Sequence, residues 1–394
     1  MSTVAVRELI DRGVLRVEDG NHGNDRPRPS EFVDEGIPFI RAADMTSGVV
    51  DFEGAGRINS VARARIRKGV GAGGDVILSH KGTVGRIAVA PMNAPDFVCS
   101  PQTTFWRSLD PGELDARYLR YQMLGAPFQR QLATLAGQTD MAPYVSLTDQ
   151  RSMTLDVRPI SEQRAIADVL GALDDKIAAN HRVIAASDAL AEARFDAAEL
   201  RQEVALSGLA RFVNGKPFTK NATGTGRVVI RIAELNSGLG GSTVYNDLEV
   251  PDDHVARPGD LLFAWSGSLT VARWYRPEAI VNQHIFKVIP NAGVPMWFVA
   301  QSVKAKLAEF RAIASDKATT MGHIQRHHLD LPVSVPAPDA VAAMDSMMTS
   351  LWDVALAREV ENLRLEATRD ELLPLLMSGK VRVRDAEKRV EEVL

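Results

Sequence analysis

Polar and basic side chains cluster around glycines at several points of the chain, in a pattern suited to contact with DNA. Base edges are recognised by hydrogen-bond donors and acceptors, and phosphates by Arg and Lys. An ordinary solvated loop is the alternative explanation for each candidate. The candidate DNA-binding residues in the first half of the chain are His80, Lys81, Thr83, Arg86, Gln138, Thr139 and Asp140. Those in the second half are Trp265, Ser266, Ser268, Thr319, Thr320, His323, Gln325 and Arg326.

A separate run of basic residues is a candidate for phosphate contacts: Arg63, Arg65, Arg67 and Lys68. Two further arginines follow strand-like residues, and for these we expect structural roles. Arg41 is expected to form an ion pair with Asp44, and the same spacing predicts an ion pair between Arg231 and Glu234. The aromatic pairs are expected in the core rather than as platforms for base stacking: Phe105-Trp106 and Trp274-Tyr275.

The sequence offers little that could carry catalysis or hold a metal ion. His323 and His327 are four residues apart, but no glutamate lies between them as a metalloprotease helix would require. There is no phosphate-binding loop of the form GxxxxGK[ST] and no glycine-rich turn typical of a dinucleotide or S-adenosylmethionine pocket. No cluster of carboxylates and lysines resembles a nuclease centre. We therefore expect no metal, no bound cofactor and no enzymatic activity of the chain on its own.

Several short segments occur twice, in the same order, which predicts two similar domains. Residues 39–45 resemble 229–235, and 74–78 resemble 259–263. Gly82-Thr83 matches Gly267-Ser268, Gln102 with Phe105 matches Gln283 with Phe286, and Thr139 with Met141 matches Thr319 with Met321. Short β-branched runs bounded by glycine predict strands, and the segments 114–135 and 296–314 have helical spacing. The domains are expected at 1–158 and 201–335.

Each repeated domain is followed by a segment with the pattern of a long helix, at 159–200 and 336–380, and residues 381–394 form a C-terminal tail. Apolar residues at alternating steps of four and three predict coiled-coil seams. Ser161 is the expected N-cap of the first helix, and Asn180 is the kind of seam residue that fixes register. The seam residues are Ile166, Leu170, Leu173, Ile177 and Asn180, then Met344, Met348 and Leu351. The predicted class is α+β: two tandem domains separated by two long antiparallel coiled-coil helices, with pseudo-twofold symmetry. A structural hairpin within one domain is the simpler alternative.

Composition and charge permit DNA binding without requiring it. The chain has 394 residues, a formal net charge of −4 and one cysteine, Cys99, so an internal disulfide is excluded. Acidic residues prevail in the helical segments: 159–200 and 336–394 each carry −4, whereas 1–158 is neutral and 201–335 carries +4. No apolar run is long enough to span a bilayer and the first residues lack a signal-peptide core, so we expect a cytoplasmic protein.

The helical segments carry a family signature. The run PISEQRAIA at 159–167, followed by Leu170, Leu173-Asp174 and Lys176-Ile177, resembles the central helix of type I restriction-modification specificity subunits. The runs RDELLPLL at 369–376 and SGKV at 378–381 resemble the end of the second helix in that family. The turns HKGTVGR at 80–86 and WSGS at 265–268 resemble its target recognition domains. The second helix departs from the pattern at its start, where Asp339 and Ala340 stand in place of Ser161 and Glu162.

The resemblance implies a non-catalytic subunit that recognises a bipartite, asymmetric sequence in double-stranded DNA, one part per domain. It implies docking of two modification subunits that methylate adenine at N6, and it allows two motor-nuclease subunits that cleave unmodified DNA in phage defence. S-adenosylmethionine, ATP and magnesium would bind to those partners. The competing hypothesis is a coiled-coil scaffold whose end domains bind proteins, which would not need polar turns repeated in both domains.

Overall fold

The computed structural model describes residues 2–45, 48–137, 142–316 and 322–394. The chain forms two compact units: unit 1 comprises Met1–Asp175 with Glu366–Leu394, and unit 2 comprises Lys176–Leu365. Both units contain helices and sheets, which confirms the α+β class. The boundaries between the units fall within the two long helices, so each unit includes part of both.

In chain order, the helices of the described residues are α1 (Val6–Asp11), α2 (Ser60–Arg65), α3 (Ala116–Leu124), α4 (Ala126–Ala136), α5 (Leu147–Ser152), α6 (Ile160–Asp196), α7 (Leu206–Leu209), α8 (Ile232–Ser237), α9 (Met296–Asp316), α10 (Pro338–Met377) and α11 (Val383–Glu391). The strands of unit 1 are β1 (Ser2–Ala5), β2 (Leu15–Asp19), β3 (Phe32–Val33), β4 (Ile37–Ile40), β5 (Arg57–Ile58), β6 (Val70–Gly71), β7 (Val76–Ser79), β8 (Ile87–Val89), β9 (Phe97–Cys99), β10 (Thr103–Ser108) and β11 (Thr154–Val157). The strands of unit 2 are β12 (Arg201–Ala205), β13 (Ala210–Asn214), β14 (Arg227–Ile230), β15 (Val244–Asn246), β16 (Val255–Ala256), β17 (Leu261–Ala264), β18 (Val271–Arg273), β19 (Ala279–Val281), β20 (Ile285–Pro290) and β21 (Pro332–Pro336).

The described part of unit 1 contains an antiparallel sheet in the order β2-β10-β7-β8 and a mixed sheet in the order β3-β5-β4-β9-β6. In the mixed sheet β4 runs parallel to β9. The run Val76–Ser79 is buried on both faces, as expected for a strand of apolar residues between two packed layers. The segment predicted as helical from 114 onwards is divided at Gly125, because Pro127 near the start of α4 cannot continue the preceding helix.

Within its described residues, unit 2 repeats this topology with one strand fewer in the mixed sheet. Its antiparallel sheet has the order β13-β20-β17-β18, and its mixed sheet the order β15-β14-β19-β16. Here too the strand that carries the repeated segment, β14, runs parallel to β19. Each unit also closes with a two-stranded pair, β1 with β11 and β12 with β21. The internal repeat seen in the sequence is therefore a repeat of folded structure.

One of the sequence matches between the repeats was wrong by one residue. The N–H of His80 donates to the carbonyl of Gln102, and the equivalent N–H of Trp265 donates to the carbonyl of His284, not of Gln283. Leu78 and Phe263 occupy equivalent places in the two repeats. Phe263 pairs with Phe286, whereas Leu78 pairs with Thr104 and not with Phe105, so Phe286 corresponds to Thr104. Because side chains alternate between faces, a slip of one residue exchanges the two sides of the strand.

A glycine at an equivalent place in each unit lets the end of the first strand of the antiparallel sheet, β2 or β13, approach the mixed sheet. A Cβ on Gly20 would lie 1.8 Å from the carbonyl oxygen of Ser100, and one on Gly215 would lie 2.1 Å from that of Asn282. Any other residue would force these segments apart. The two glycines therefore fix the end of β2 and of β13 beside the turn that precedes β10 and β20.

In unit 1, the start of α6 packs against the end of α10. Ile166, Leu170 and Leu173 are fully buried. Arg369 on α10 donates to Asp174 on α6 over 2.9 Å, while Arg158, just before α6, donates to the carbonyl of Met377 at the end of α10. Residues that come earlier in α6 thus contact later residues of α10, which makes the helices antiparallel here. The helix begins at Ile160, so Ser161 lies inside it and is not the N-cap that we predicted.

In unit 2, the rest of α6 packs against the first part of α10. Asn180 is 3% exposed and donates to Asn362 over 2.8 Å. Further along α6, Phe195 shares one core with Met348, so the helices are antiparallel in this unit as well. Ile177 is buried, while Met344 and Leu351 are partly buried against the same core as Met348. The predicted antiparallel pairing is confirmed within each unit.

The predicted C-terminal tail folds onto unit 1. Residues 381–394 contain α11, which buries Ala386 and Val390. Arg389 on α11 forms an ion pair with Glu371 on α10 at 2.8 Å. None of the helices in the described ranges combines the length and the apolar character that crossing a bilayer requires.

Candidate nucleic-acid interface

In unit 1, the glycine turn after β7 lies beside the loop that precedes α5. The carbonyl of His80 accepts the N–H of Val145 at 2.9 Å, and the N–H of Gly82 donates to Pro143 at 2.9 Å. These two bonds place Lys81 opposite Tyr144 in an isolated bridge. The Lys81 ammonium group is 5.7 Å from the centre of the Tyr144 ring. The structure thus brings the first predicted turn next to the segment that follows the second predicted loop.

Unit 2 has the same arrangement. Trp265 accepts the N–H of Ile324 at 3.0 Å, and Gly267 donates to Gly322 at 2.9 Å. Ser266 lies opposite His323 in the bridge equivalent to that of Lys81 and Tyr144. Gly82 and Gly267 have φ values of +77° and +68°, a left-handed conformation that glycine adopts without strain. The glycines shared by the two sequence motifs therefore make the turns that the pairing requires.

The candidate residues differ in their exposure. Those with exposed side chains are Lys81, Thr83, Arg86, Ser268, His323, Gln325 and Arg326. Trp265 is half-buried, and its indole N–H donates to Asn214 at 2.7 Å. Five further candidates lie outside the described residues: Gln138, Thr139, Asp140, Thr319 and Thr320.

Two candidates are buried, which corrects the expectation that they lie on exposed turns. His80 is 3% exposed, and its Nδ1 is 2.9 Å from the carbonyl oxygen of Val145. Burial lowers the pKa of His80, and the nearby Val145 carbonyl and Asp19 carboxylate only partly oppose this effect. Ser266 is also 3% exposed. The backbone bridge to the second loop covers both residues, and this long-range contact is not visible in the local sequence.

The basic run of unit 1 is divided between paired and exposed residues. The guanidinium of Arg63 makes two bonds of 2.7 and 2.8 Å to Asp96, and that of Arg65 makes bonds of 2.9 and 2.7 Å to Glu31. The hydrogen bonds from Arg65 lower the pKa of Glu31 to about 2. Arg67 and Lys68 are exposed, so they are better placed for phosphate contact than the other two.

The two arginines with predicted structural roles behave differently. Arg231 donates to Glu234 through Nε at 3.0 Å and through Nη2 at 2.6 Å, which confirms that ion pair. Asp44 instead accepts the backbone N–H of Arg41 at 2.8 Å. The Arg41 guanidinium lies 5.5 Å from the ring of Phe32, so the predicted ion pair with Asp44 was wrong. Aspartate is one methylene shorter than glutamate and reaches only the N–H.

Sequence reasoning missed several exposed residues beside the paired loops. In unit 1 they are Arg26 and Tyr144, together with the freed side chain of Arg41. In unit 2, His284 is exposed, its ring centre is 5.0 Å from that of Trp265, and its φ is +73°. Three of the four paired aromatic residues lie in the core as predicted, since Phe105 and Trp106 are fully buried and Trp274 is 3% exposed. Tyr275 is only partly buried.

Among the described residues, no group of three His, Cys, Asp or Glu side chains is arranged to hold a metal ion. His328 is buried, and its Nδ1 accepts the N–H of Gln325 at 3.0 Å. It therefore bonds back to the residue that precedes the short helical turn Arg326–Asp330 and caps the start of that turn. His327 lies on its exposed side, with the two ring centres 4.1 Å apart.

A comparison with protein-family models finds no match, and none of the curated proteins compared is significantly similar in sequence. Among solved structures, the chain is similar to the S subunit of a type I restriction-modification system from M. genitalium. The identity is 15%, the similarity covers 95% of each chain, and the TM-score is 0.57. The chain has the fold of a type I restriction-modification S subunit.

Two other solved structures are similar with lower TM-scores. One concerns complex assembly and conformational transition of the type I R-M system, with 16% identity, coverage of 96% and 98%, and a TM-score of 0.38. The other is the HsdS subunit from Thermoanaerobacter tengcongensis, with 15% identity, coverage of 96% and 95%, and a TM-score of 0.35. The S-subunit fold is the one that the helix sequences indicated, so the resemblance is confirmed at the level of the fold.

Proposed function

We propose that this chain is the DNA-recognising specificity subunit of a type I restriction-modification complex, and that it is not an enzyme on its own. The observation that carries the proposal is the S-subunit fold over 95% of the chain. The paired loops support it, because each unit presents polar side chains from two loops on one surface. In this proposal each unit recognises one part of a split target in double-stranded DNA.

The differences between the units favour an asymmetric target. Where unit 1 has Lys81 facing Tyr144, unit 2 has Ser266 facing His323. Residues 1–158 are neutral in net charge, whereas 201–335 carry +4. Bases are distinguished by the pattern of donors and acceptors that meets them. The exposed loop residues that could meet base edges also differ, with Thr83 and Tyr144 in unit 1 and His323 and Gln325 in unit 2, so the units should select different half-sites.

Exposed apolar residues on the long helices favour a protein partner. Val183 and Leu190 on α6 are 40% and 43% exposed, and Met347 and Val354 on α10 are 37% and 42% exposed. Residues seven apart lie on one face of a helix. We propose that these residues contact two modification subunits, which would supply adenine-N6 methylation with S-adenosylmethionine. Two motor-nuclease subunits using ATP and magnesium would join the same complex in the cytoplasm and act in phage defence.

The test is to sequence methylated adenines in a host that expresses this chain with the modification subunit encoded beside it. The expected result is methylation at one split, asymmetric motif. Exchanging residues 1–158 for those of another chain with this fold should change one half of the motif and leave the other half unchanged. Absence of any split motif, with both proteins present and assembled, would contradict the proposal.

The docking part of the proposal has its own test, which also addresses the scaffold alternative. Leu190→Asp should leave the chain folded, because Leu190 is exposed, but should weaken copurification of the modification subunit. Glu192→Gln, on the same helix and also exposed, is the matched control. A scaffold without DNA specificity would copurify its partners normally and yield no methylated motif.

A further inference from the structure

A cleft on unit 1 gathers three cationic side chains from separate segments. Its volume is about 380 Å³, and it is lined by Arg26, Arg41, Lys81, Phe39, Ser100, Pro101 and Gln102. Arg26 follows a short helical turn, Arg41 follows β4, and Lys81 lies in the glycine turn after β7. All three side chains are exposed. Within the described ranges, no carboxylate lies within 4.0 Å of any of these three charged groups.

The floor of the cleft is buried and hydrogen-bonded to the mixed sheet. Ser100 is 2% exposed and Phe39 is 6% exposed. The N–H of Ser100 donates to the carbonyl of Ile40 at 2.8 Å, which joins the turn before β10 to the end of β4. The three cations therefore surround a floor that is buried in the fold. Among the described residues no carboxylate pairs with these cations to relieve their repulsion, and an anion in the cleft would relieve it.

The equivalent place in unit 2 carries less positive charge. Arg231 corresponds to Arg41, but the Glu234 carboxylate holds its guanidinium through two bonds of 3.0 and 2.6 Å. Glu234 is 4% exposed, and its pKa is lowered, because the bonds from Arg231 outweigh the effect of burial. The residue that corresponds to Lys81 is the neutral Ser266. Two of the cations of the cleft are thus absent or neutralised in the second copy.

We infer that the unit 1 cleft is a binding site for a backbone phosphodiester of DNA, and that unit 2 has no equivalent phosphate site at Arg231. This inference rests on the proposed function and adds a division between the units. Unit 1 holds the DNA through phosphate contacts at Arg26, Arg41 and Lys81. Three cationic side chains around one cleft suit a phosphate, because its negative charge offsets theirs and its oxygens accept hydrogen bonds from arginine and lysine, whereas a base edge carries no net charge.

The inference is tested by the salt dependence of DNA binding by the full chain, measured on a duplex of random sequence by fluorescence anisotropy. Each lost phosphate contact should reduce the slope of log K against log salt by about 0.9. Arg41→Gln should reduce the slope by that amount. Asp44→Glu should do the same without removing the arginine, because the longer carboxylate can hold the Arg41 guanidinium as Glu234 holds that of Arg231.

Arg231→Gln is the matched control, and its slope should equal that of the unmodified chain. Thermal unfolding of every variant identifies substitutions that merely destabilise the protein. If Arg41→Gln folds poorly, Asp44→Glu still tests the inference. Unchanged slopes for both unit 1 variants would overturn the inference, as would an equal loss for Arg231→Gln. If the slopes are unchanged while the split methylation motif persists, the phosphate site fails and the proposed function stands.

Discussion

Asn180 and Asn362 bond to each other across the two long helices. Nδ2 of Asn180 is 2.8 Å from Oδ1 of Asn362, and the two side chains are 3% and 4% exposed. Asn180 also donates to the Glu361 carboxylate at 3.1 Å, and that carboxylate receives Lys176 at 3.3 Å. Nδ2 of Asn362 is buried without a partner among the described residues. A polar pair in an apolar seam specifies which residues face each other.

Replacing one member of this pair should cost more than replacing both. Asn180→Leu leaves the Asn362 amide buried without its partner, and we expect a loss of about 1–3 kcal/mol in the free energy of unfolding. The double variant with Asn362→Leu removes both amides and should recover most of that loss. Urea unfolding of the single and double variants measures the difference. If the double variant loses as much free energy of unfolding as the two single variants together, the two amides do not depend on each other.

The repeated strands and long helices were predictable because their information is local. The run 74–78 carries both a strand pattern and its bounding glycine, and β7 forms there. The burial of His80 was not predictable, since it depends on Val145, 65 residues away in sequence. The sequence did not reveal that the Arg41 guanidinium is not paired with Asp44, because Asp44 and Glu234 differ by a single methylene and carry the same charge.

The match of Gln102 with Gln283 failed for a different reason. The turns before β10 and β20 bring Gln102 and His284 to equivalent places, and the coincidence of Gln and Phe in both copies suggested a register shifted by one residue. Identical residue types in two diverged strands do not establish which face of the sheet a side chain occupies. Only the pairing with β7 and β17 decides it. A candidate residue inferred by such matching therefore needs a check against the strand register.

The buried seam in unit 1 should tolerate charge poorly. Leu173 is fully buried, so Leu173→Asp places a carboxylate in the seam without a partner, at an expected cost of about 3–5 kcal/mol. We expect a lower melting temperature and weaker assembly with the modification subunit, without a change in the methylated motif of the complex that remains. Val183→Asp, 40% exposed on the same helix, is the control for stability and should melt within a few degrees of the unmodified chain.

Stability should fall as the pH is lowered from 7.5 to 5.5, partly because of His80. Its pKa in the folded chain is lowered by burial, so below the ordinary histidine pKa the unfolded chain takes up a proton that the folded chain does not. The stabilising contribution is therefore complete above that ordinary value and is lost as the pH falls towards the folded one. His80→Gln should therefore reduce the slope of melting temperature against pH. An unchanged slope for His80→Gln would contradict this assignment.

Replacing His284 by glycine should leave the free energy of unfolding nearly unchanged but should alter DNA recognition. Its φ of +73° costs a non-glycine residue about 1 kcal/mol, which offsets the entropy of about 0.5–1 kcal/mol that glycine adds to the unfolded chain. We expect the free energy of unfolding of His284→Gly to lie within about 1 kcal/mol of that of the unmodified chain, whereas Gln283→Gly, without a positive φ to relieve, should be less stable.

Because the His284 ring lies exposed beside Trp265, its loss should relax the half of the methylated motif that depends on unit 2. The half recognised by unit 1 is the internal control, and a motif unchanged in both halves would exclude the His284 side chain from recognition.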